Sequence, residues 1–179
     1  MSNLKNEFIS AYLQLLQHNS PKDISVKQIV KQANTSRSTF YTYFESKEQL
    51  QEQVKQIVQN QFMAFYSEGE KSLDGYKTTL ALCHHMLKYR FFYQYVFQDA
   101  YEIQCMSEEL TIRLQEVYND KDYAIFASCG TIGYLKNWVD EGFAISPTEA
   151  AEKLLKIGFT DWTYGIRKRV PNLFQNEKS

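Results

Sequence analysis

Apolar residues along this chain recur three and four positions apart, the spacing that places side chains on one face of an α-helix. The run from Leu4 to Leu16 predicts a first helix over about residues 3–18. Only 7 glycines and 3 prolines interrupt 179 residues, so few positions break a helix and the fold is predicted to be all-α. Later runs predict helices near 26–33, 37–43, 47–66, 76–89, 91–98, 101–118, 121–141 and 148–168.

Two short helices, near 26–33 and 37–43, are joined by a turn of three or four residues, which is the layout of a helix-turn-helix. Ser25 and Ser36 are suited to cap these helices, because a serine oxygen accepts a hydrogen bond from a free backbone N–H of the first turn. Asn34 tolerates the left-handed backbone that a tight turn needs. The pattern therefore predicts a helix-turn-helix near the N-terminus.

On a helical wheel of the second short helix, Phe40 and Phe44 share one face, which we expect to pack on the preceding helices. Ser38 and Thr42 then point away from that face. Small hydroxyls and tyrosine phenols fit a DNA major groove, donate to phosphates and contact thymine methyl groups. The outward side is thus a candidate DNA-reading surface, flanked by Thr39 and Tyr41.

Charge supports a nucleic-acid interface only locally. The chain has 20 Lys and Arg against 21 Asp and Glu, a formal net charge of −1, so its overall charge indicates no polyanionic partner. The segment 22–47 is nevertheless basic. The alternative interpretation is that this segment is an ordinary packed helical corner. Its cations are Lys22, Lys27, Lys31, Arg37 and Lys47, and its acidic residues are Asp23 and Glu45.

The segment ISVKQIVKQANTSRSTFYTYFESKEQL, Ile24 to Leu50, closely resembles the DNA-binding region of TetR-family transcriptional regulators. Thr39-Phe40-Tyr41, Tyr43-Phe44 and Lys47-Glu48 carry most of the likeness. Asn34-Thr35 stands where that family usually has Gly-Val, and Asn is the natural substitute for Gly at a left-handed position. The resemblance implies a three-helix DNA-binding domain over 1–47 and a C-terminal helical ligand-binding and dimerisation domain over 48–179.

The resemblance also implies roles for single residues. Ser25 and Lys27 would contact phosphates, and Tyr43 and Lys47 would clamp the DNA backbone. The wheel places Tyr43 closer to the buried side, and Lys27 has an equally good interpretation as an ordinary solvated charge. The residues implied to face the major groove or its walls are Thr35, Arg37, Ser38, Thr39, Tyr41 and Thr42.

Residues 124–135, AIFASCGTIGYL, are apolar or small on nearly every side of a predicted helix, and such a helix has to be covered all round. A partner subunit is one possible cover; the alternative is a central position within one subunit. The stretch GTIGYLKNWVDEGFAISPTEAAEKL also resembles regulators of dihydroxyacetone-kinase operons in the same family. The predicted homodimer interface comprises Phe126, Gly130, Gly133, Leu154, Ile157 and Trp162.

The aromatic stretch MLKYRFFYQYVFQDAYEIQC, residues 86–105, is the natural place for a pocket that binds a small apolar or aromatic effector. Aromatic residues at helical spacing usually form a core, so plain packing is an equally good interpretation. The candidate lining residues are Met86, Tyr89, Phe92, Tyr95, Tyr101 and Cys105.

No metal or cofactor site is predicted. His84 and His85 diverge by about 100° on a helix, so they are poorly placed to share an ion. The three cysteines are far apart without a CxxC motif, which indicates reduced, buried thiols. The N-terminus MSNLKNEFIS lacks a signal-peptide core, and no apolar run reaches the length of a membrane span, so we expect a soluble cytoplasmic protein.

The sequence therefore predicts a transcriptional regulator of the TetR type that binds a double-stranded DNA operator as a homodimer. We expect a repressor released by a small-molecule effector. Two alternatives stay open: an activator or coactivator of the same family, and a helical ligand-binding module without DNA binding. The chain has no GxSxG motif and no glycine-rich phosphate loop, so we do not expect an enzyme.

Overall fold

The described part of the chain is all helical, as predicted. The computed structural model describes residues 3–66 and 75–158, and it contains no strand within them. Most of the polar segment 67–75 and the end of the last predicted helix, with Trp162, lie outside the described residues. The helices are α1 (Asn3–Leu15), α2 (Val26–Gln32), α3 (Arg37–Tyr43), α4 (Lys47–Ala64), α5 (Gly75–Lys88), α6 (Arg90–Val96), α7 (Ala100–Tyr118), α8 (Lys121–Asp140) and α9 (Pro147–Gly158).

The first helix is shorter than its apolar pattern predicts. α1 ends at Leu15, where the Asn19 side chain donates a hydrogen bond from Nδ2 to the Leu15 carbonyl oxygen at 2.8 Å. The same carbonyl oxygen also accepts from the backbone N–H groups of His18 at 3.2 Å and Asn19 at 3.1 Å, so the helix end is closed by a turn. Leu16 is buried although it lies beyond the helix, so the apolar pattern continues past the helical backbone. The other predicted helix ends within the described residues differ by one or two residues.

Helices α1, α2 and α3 pack around one apolar core. Phe8 of α1 is fully buried, and its ring centre lies 5.4 Å from that of Phe40 and 6.0 Å from that of Phe44, in edge-to-face arrangements. Ile29 of α2 is also fully buried. Each aromatic pair of this kind contributes about 0.5–1.5 kcal/mol beyond the area it buries. The aromatic cluster therefore fixes the orientation of α3.

Helix α4 connects this three-helix group to the rest of the protein. Its buried face consists of Leu50, Val54, Val58 and Phe62, which recur every four residues. With 18 residues it is about 27 Å long. Lys55 forms an ion pair with Glu102 of α7 at 3.0 Å, so α4 is tied to the C-terminal half as well. The domain boundary at residue 47 coincides with the start of α4 and stays a prediction.

The C-terminal half is built on the antiparallel pair α7 and α8. Asn119 takes a left-handed backbone with φ of 51°, and Asp120 caps α8 by accepting a hydrogen bond from the Tyr123 N–H at 2.9 Å. This two-residue connection reverses the chain direction. Helix α9 lies against α5 and α8, and the Tyr134 hydroxyl donates to the Ala150 carbonyl oxygen at 3.0 Å.

Most of the aromatic stretch forms core. Phe92, Tyr93 and Phe97 are at most 5% exposed. The His85 Nε2 lies 2.8 Å from the Tyr93 hydroxyl, and burial lowers the pKa of His85 to about 4, so its imidazole is neutral at neutral pH. In the residues described, no three His, Cys, Asp or Glu side chains gather where they would hold a metal ion.

The cysteines differ in their surroundings. Cys83 is buried, and burial raises the pKa of its thiol to about 12. Cys105 is half-buried. The expectation of buried thiols is wrong for Cys129, which is exposed on α8, because residues 3–66 and 75–158 leave one face of that helix uncovered. None of the helices within 3–66 and 75–158 is long and apolar enough to cross a membrane.

Candidate nucleic-acid interface

The turn between α2 and α3 has the left-handed residue expected from the sequence. Asn34 has a φ of 50°. Its N–H donates to the Lys31 carbonyl oxygen at 3.2 Å, and the Thr35 N–H donates to the Val30 carbonyl oxygen at 2.9 Å. These two bonds form the Schellman arrangement, which ends α2 sharply and satisfies its last carbonyl groups. The turn therefore sets the direction in which α3 leaves α2.

Both short helices are capped by serine. Ser25 accepts a hydrogen bond from the Gln28 N–H, and the Gln28 side chain accepts one from the Ser25 N–H at 2.9 Å, forming a capping box on α2. Ser36 accepts from the Thr39 N–H at 3.1 Å and caps α3. The Ser25 side chain is exposed, so its hydroxyl is accessible from outside while it caps the helix.

The anchoring side of α3 is as predicted. Phe40 is 0% and Phe44 is 1% exposed, and their ring centres lie 5.4 Å apart. Because the two side chains are four residues apart, they occupy the same face of the helix and its extension. The opposite side of α3 is thereby directed away from the body of the protein.

The outward side of α3 carries the predicted chemistry. Arg37, Ser38 and Thr42 are exposed, and Tyr41 is 53% exposed. The Thr42 hydroxyl donates to the Ser38 carbonyl oxygen at 3.1 Å, which leaves its methyl group and an oxygen lone pair for other contacts. Four neighbouring polar side chains of different reach thus form a protruding surface that fits a major groove.

Thr35, Thr39 and Tyr43 lie at the edges of this surface. Thr35 and Thr39 are half-buried, and the Thr39 hydroxyl lies 2.8 Å from that of Ser36, within the cap of α3. The Tyr43 ring centre lies 6.1 Å from that of Phe8, yet the residue is 36% exposed. Tyr43 therefore combines a packed ring with an accessible edge, which accounts for the disagreement between the wheel and the family resemblance.

Lys47 has a structural partner that the sequence does not reveal. Its Nζ donates to the carbonyl oxygens of Pro21 at 3.3 Å and Lys22 at 3.2 Å. Gln51, one turn further along α4, also donates to Pro21, at 3.0 Å. Lys47 and Gln51 are 25 to 30 positions from Pro21 and Lys22 in the sequence, so no local pattern predicts these contacts. The Lys47 ammonium group has three hydrogens. Its bonds to Pro21 and Lys22 use two of them, so the third can be donated to a phosphate.

Lys27, the other predicted phosphate contact, is exposed on α2, and Lys22 and Lys31 are exposed nearby. The acidic residues of the same segment are Asp23, whose carboxylate accepts from the Ser20 hydroxyl at 2.8 Å, and Glu45. The positive charge of the segment is therefore accessible beside the outward side of α3. Phosphates on either side of a major groove are natural partners for such a ring of cations.

Replacing Lys47 with methionine is expected to have two separable effects. Loss of the hydrogen bonds to the two carbonyl groups lowers the free energy of unfolding by about 1–3 kcal/mol. Loss of one phosphate contact reduces the slope of log Kd against log salt concentration by about one. Denaturant unfolding and DNA titrations at several salt concentrations measure these two quantities.

Gln51→Met is the matched control for Lys47. It removes the other donor to Pro21 without changing the charge, so it should lower stability and leave the salt slope unchanged. An unchanged slope in Lys47→Met would mean that Lys47 is only a brace between α4 and the chain before α2.

The residues predicted to line an effector pocket do not come together as one set. Phe92 and Tyr95 line a cavity of about 290 Å³ between α1, α4, α6 and α7. Met86 is fully buried in the core, and Tyr101 is 70% exposed. Tyr89 packs its ring on His85 at 4.9 Å, and Cys105 is half-buried on α7. Their helical spacing reflects packing on several sides of three helices, α5, α6 and α7.

The residues predicted to form a dimer interface divide into two groups. Phe126 is 64% exposed on α8, and Gly130 and Gly133 are exposed, with nothing within 4 Å of a Cβ placed at either. Leu154 and Ile157 of α9 are half-buried and face a larger cavity together with Phe126 and Gly130. Trp162 lies outside the described residues.

Comparison with known proteins gives a consistent result. Residues 8–54 match the family described as "Bacterial regulatory proteins, tetR family". No curated protein sequence matches the chain. Several solved structures have a similar fold at low sequence identity, which establishes the fold alone.

Three of these structures cover most of both chains. The dihydroxyacetone kinase operon activator DhaS has a TM-score of 0.68 at 18% identity, covering 88% of this chain and 94% of its own. A TerR/AcrR-family transcriptional regulator from Aquifex aeolicus VF5 has a TM-score of 0.70 at 18% identity, covering 88% and 100%. NalD, the secondary repressor of the MexAB-OprM multidrug efflux pump in Pseudomonas aeruginosa, has a TM-score of 0.62 at 18% identity, covering 89% and 97%.

Proposed function

We propose that the chain is a transcriptional regulator of the TetR type, which binds a roughly palindromic DNA operator as a homodimer and represses transcription until a small molecule releases it. The match of residues 8–54 to the tetR family supports this proposal. The observation that carries the proposal is the outward side of α3, where Arg37, Ser38, Tyr41 and Thr42 protrude beside exposed lysines. Each recognition helix enters one major groove, and the two half-sites are separated by about one helical turn of DNA or a small multiple.

A pool of random double-stranded DNA tests the proposal. The protein should select sequences with two inverted half-sites, and a genomic footprint should place the same sequence near promoters. Affinity for the selected site should exceed affinity for unrelated DNA by about 10³-fold or more. Equal affinity for both DNAs would favour the alternative of a helical module without sequence-specific DNA binding.

Dimerisation is supported by a face of α8 that the described part of the chain leaves uncovered. Ile125 is 42% exposed and Phe126 is 64% exposed, and Cys129 and Gly133 lie on the same side of the helix. Large apolar side chains grouped on one face of a monomer mark an interaction surface. A second copy of the chain presents the same face, so a two-fold axis through α8 covers both at once.

Replacing Gly133 with leucine is expected to separate the dimer while strengthening the protomer. Nothing lies within 4 Å of a Cβ at this position, so the side chain enters open space in the protomer. Leucine also has a higher helix propensity than glycine by about 0.8 kcal/mol. At the proposed interface the same side chain keeps a partner helix at a distance. Sedimentation equilibrium and thermal unfolding measure the two effects.

The matched control is Ala81→Leu, which enlarges an exposed small residue on α5 and should leave the oligomeric state unchanged. If Gly133→Leu remains a dimer with undiminished affinity, the two subunits do not meet at this face of α8.

Activation is the second candidate function. The specific observation in its favour is the fold similarity to DhaS, a protein described as an operon activator. The similarity to NalD, described as a repressor, favours repression to the same degree. Transcription from a promoter carrying the selected site, measured with and without the protein, separates the two.

A further inference from the structure

A cavity of about 690 Å³ opens between α5, α8 and α9, next to Tyr66, which lies two residues after the end of α4. The rings of Tyr66, Tyr123, Phe126 and Tyr134 form much of its wall, together with aliphatic side chains of α9. Small-molecule sites have volumes of about 300–1,000 Å³ and are mainly apolar, with a few well-placed polar groups. The cavity fits this description, and most of its wall residues lie outside the aromatic stretch that the sequence singles out.

The part of the wall formed by residues within 3–66 and 75–158 carries no charge. None of its lining residues is Asp, Glu, Lys, Arg or His. An ion entering such a site would lose its hydration without gaining a partner of opposite charge, which costs several kcal/mol by general solvation arguments. The cavity therefore selects neutral molecules.

Three hydroxyls in the wall, those of Tyr66, Tyr123 and Thr131, form no hydrogen bond with another described residue, and Tyr66 is the half-buried tyrosine among them. The Tyr134 hydroxyl donates to Ala150 and the Thr79 hydroxyl donates to Gly75. Tyr66 is half-buried, and its hydroxyl, unlike those of Tyr134 and Thr79, is left without a donor or acceptor among the described residues. Burial raises the pKa of Tyr66, so the phenol stays protonated and remains a hydrogen-bond donor. An unpaired donor in an apolar site is best satisfied by an acceptor such as a carbonyl oxygen.

We propose that this cavity is the effector site and that it takes a neutral aromatic molecule with one hydrogen-bond acceptor, an aryl ketone for example, whose oxygen accepts from Tyr66. The inference rests on the proposed function, because it names the chemical class of the releasing molecule. The Tyr66 N–H donates to the Met63 carbonyl oxygen at 3.0 Å, at the end of α4. A ligand held by Tyr66 thus acts on the helix whose other end begins with Lys47, beside α3.

The smaller cavity between α1, α4, α6 and α7 has the opposite chemistry. Its lining includes Glu48, Glu52, Asp99 and Glu102 against the single cation Lys55. Lys55 is already paired with Glu52 at 3.1 Å and with Glu102 at 3.0 Å. A neutral aromatic molecule has no reason to prefer this site, although Phe92 and Tyr95 belong to it. We therefore expect the two cavities to bind ligands of different charge.

Three probes of nearly equal size and different charge test the inference. They are 2-acetylnaphthalene, which is neutral, 2-naphthoate, an anion, and (2-naphthyl)methylammonium, a cation. Isothermal titration of the full chain without DNA should give at least about tenfold tighter binding for the ketone than for either ion. Equal affinity for all three, or preference for the cation, would overturn the proposal.

Single hydroxyl deletions locate the site. Tyr66→Phe should weaken binding of 2-acetylnaphthalene by about fivefold to tenfold and leave binding of naphthalene, which has no acceptor, unchanged. Tyr95→Phe, in the acidic cavity, is the matched control and should bind the ketone as the unchanged protein does. Ala127→Phe fills the larger cavity and should weaken binding of both probes. Full ketone affinity in both Tyr66→Phe and Ala127→Phe would place the ligand elsewhere and overturn the inference.

The test separates this inference from the proposed function. If operator DNA is bound but 2-acetylnaphthalene is not, the ligand class is wrong and the DNA-binding function stands. If the ketone binds in a Tyr66-dependent way but no DNA is selected, the site assignment stands and the regulatory function fails. Release of operator DNA by the ketone, reduced about fivefold to tenfold in potency by Tyr66→Phe, supports both.

Discussion

Tyr41→Ala is expected to weaken operator binding by about 5- to 150-fold, the equivalent of ~1–3 kcal/mol for one base or groove contact. Tyr41 is 53% exposed on the outward side of α3 and reaches further from the helix than the serines and threonines around it. Fluorescence anisotropy with the selected operator measures the loss. The same variant should lose little affinity for unrelated DNA, because phosphate contacts dominate that binding.

Stability does not account for this expected loss. The Tyr41 ring touches Phe40 edge-on at 5.4 Å between ring centres, a contact worth about 0.5–1.5 kcal/mol at most. Phe40 keeps its contacts with Phe8 and Phe44 when Tyr41 is removed. A denaturant unfolding curve for Tyr41→Ala should therefore lie close to that of the unchanged protein, so that any affinity loss reports on the interface.

Two further variants define the contact. Tyr41→Phe keeps the ring and removes the hydroxyl, so it separates an apolar contact with a base from a hydrogen bond to DNA. Tyr101→Ala removes a tyrosine that is 70% exposed on α7, far along the chain from α3, and should bind the operator normally. Unchanged operator affinity in Tyr41→Ala would show that the outward side of α3 is not the surface that contacts the DNA bases.

Local patterns in the sequence determine the position of α3 to a large extent. Asn34 marks the left-handed turn, Ser36 marks the cap, and the spacing of Phe40 and Phe44 marks the buried side; each of these features is a property of neighbouring residues. Short-range chemistry of this kind is visible in a sequence because its causes lie within four residues.

The contacts of Lys47 illustrate what a sequence leaves out. The carbonyl oxygens of Pro21 and Lys22 are backbone atoms that every residue type has. The residue types at these positions therefore do not indicate that Lys47 binds them. Their position depends on how the connection between α1 and α2 passes the start of α4. The same limit applies to the larger cavity, whose walls come from α5, α8 and α9 and from Tyr66. Its location follows from helix packing, and helix packing is a long-range property.

The two proposed binding activities, for operator DNA and for the effector, are connected by one helix. α4 begins at Lys47 beside the DNA-binding helices, is tied to α7 by the Lys55–Glu102 ion pair, and ends next to Tyr66 in the wall of the larger cavity. A ligand changes operator affinity only if it binds two arrangements of the protein with different affinities. A tilt of α4 would change the positions of both Tyr66 and α3, because a helix moves as a rigid rod along its length.

Phe40→Ala is expected to have the largest effect on stability of any substitution discussed for the DNA-binding domain. Phe40 is fully buried, and its ring lies 5.4 Å from each of the rings of Phe8 and Phe44. Truncating a buried phenylalanine costs about 3–5 kcal/mol, through lost burial and the cavity left behind. A domain of this size has a free energy of unfolding of about 5–15 kcal/mol, so the loss is a large fraction of it. Denaturant unfolding, followed by circular dichroism, measures the difference.

Operator binding should be weaker in the same variant, for a reason unlike that in Tyr41→Ala. Without the Phe40 ring, α3 loses the anchor that directs its hydroxyl side outward, so affinity falls even though every candidate DNA-contacting residue is present. Saturating operator DNA should partly restore the unfolding midpoint, because a ligand that binds only the folded state stabilises it. Ile112→Ala, a truncation at a residue that is 59% exposed on α7, should change stability by no more than about 0.5 kcal/mol. An unfolding midpoint for Phe40→Ala as high as that of Ile112→Ala would show that α3 is held by something other than its two phenylalanines, and the orientation of the reading surface would then need another cause.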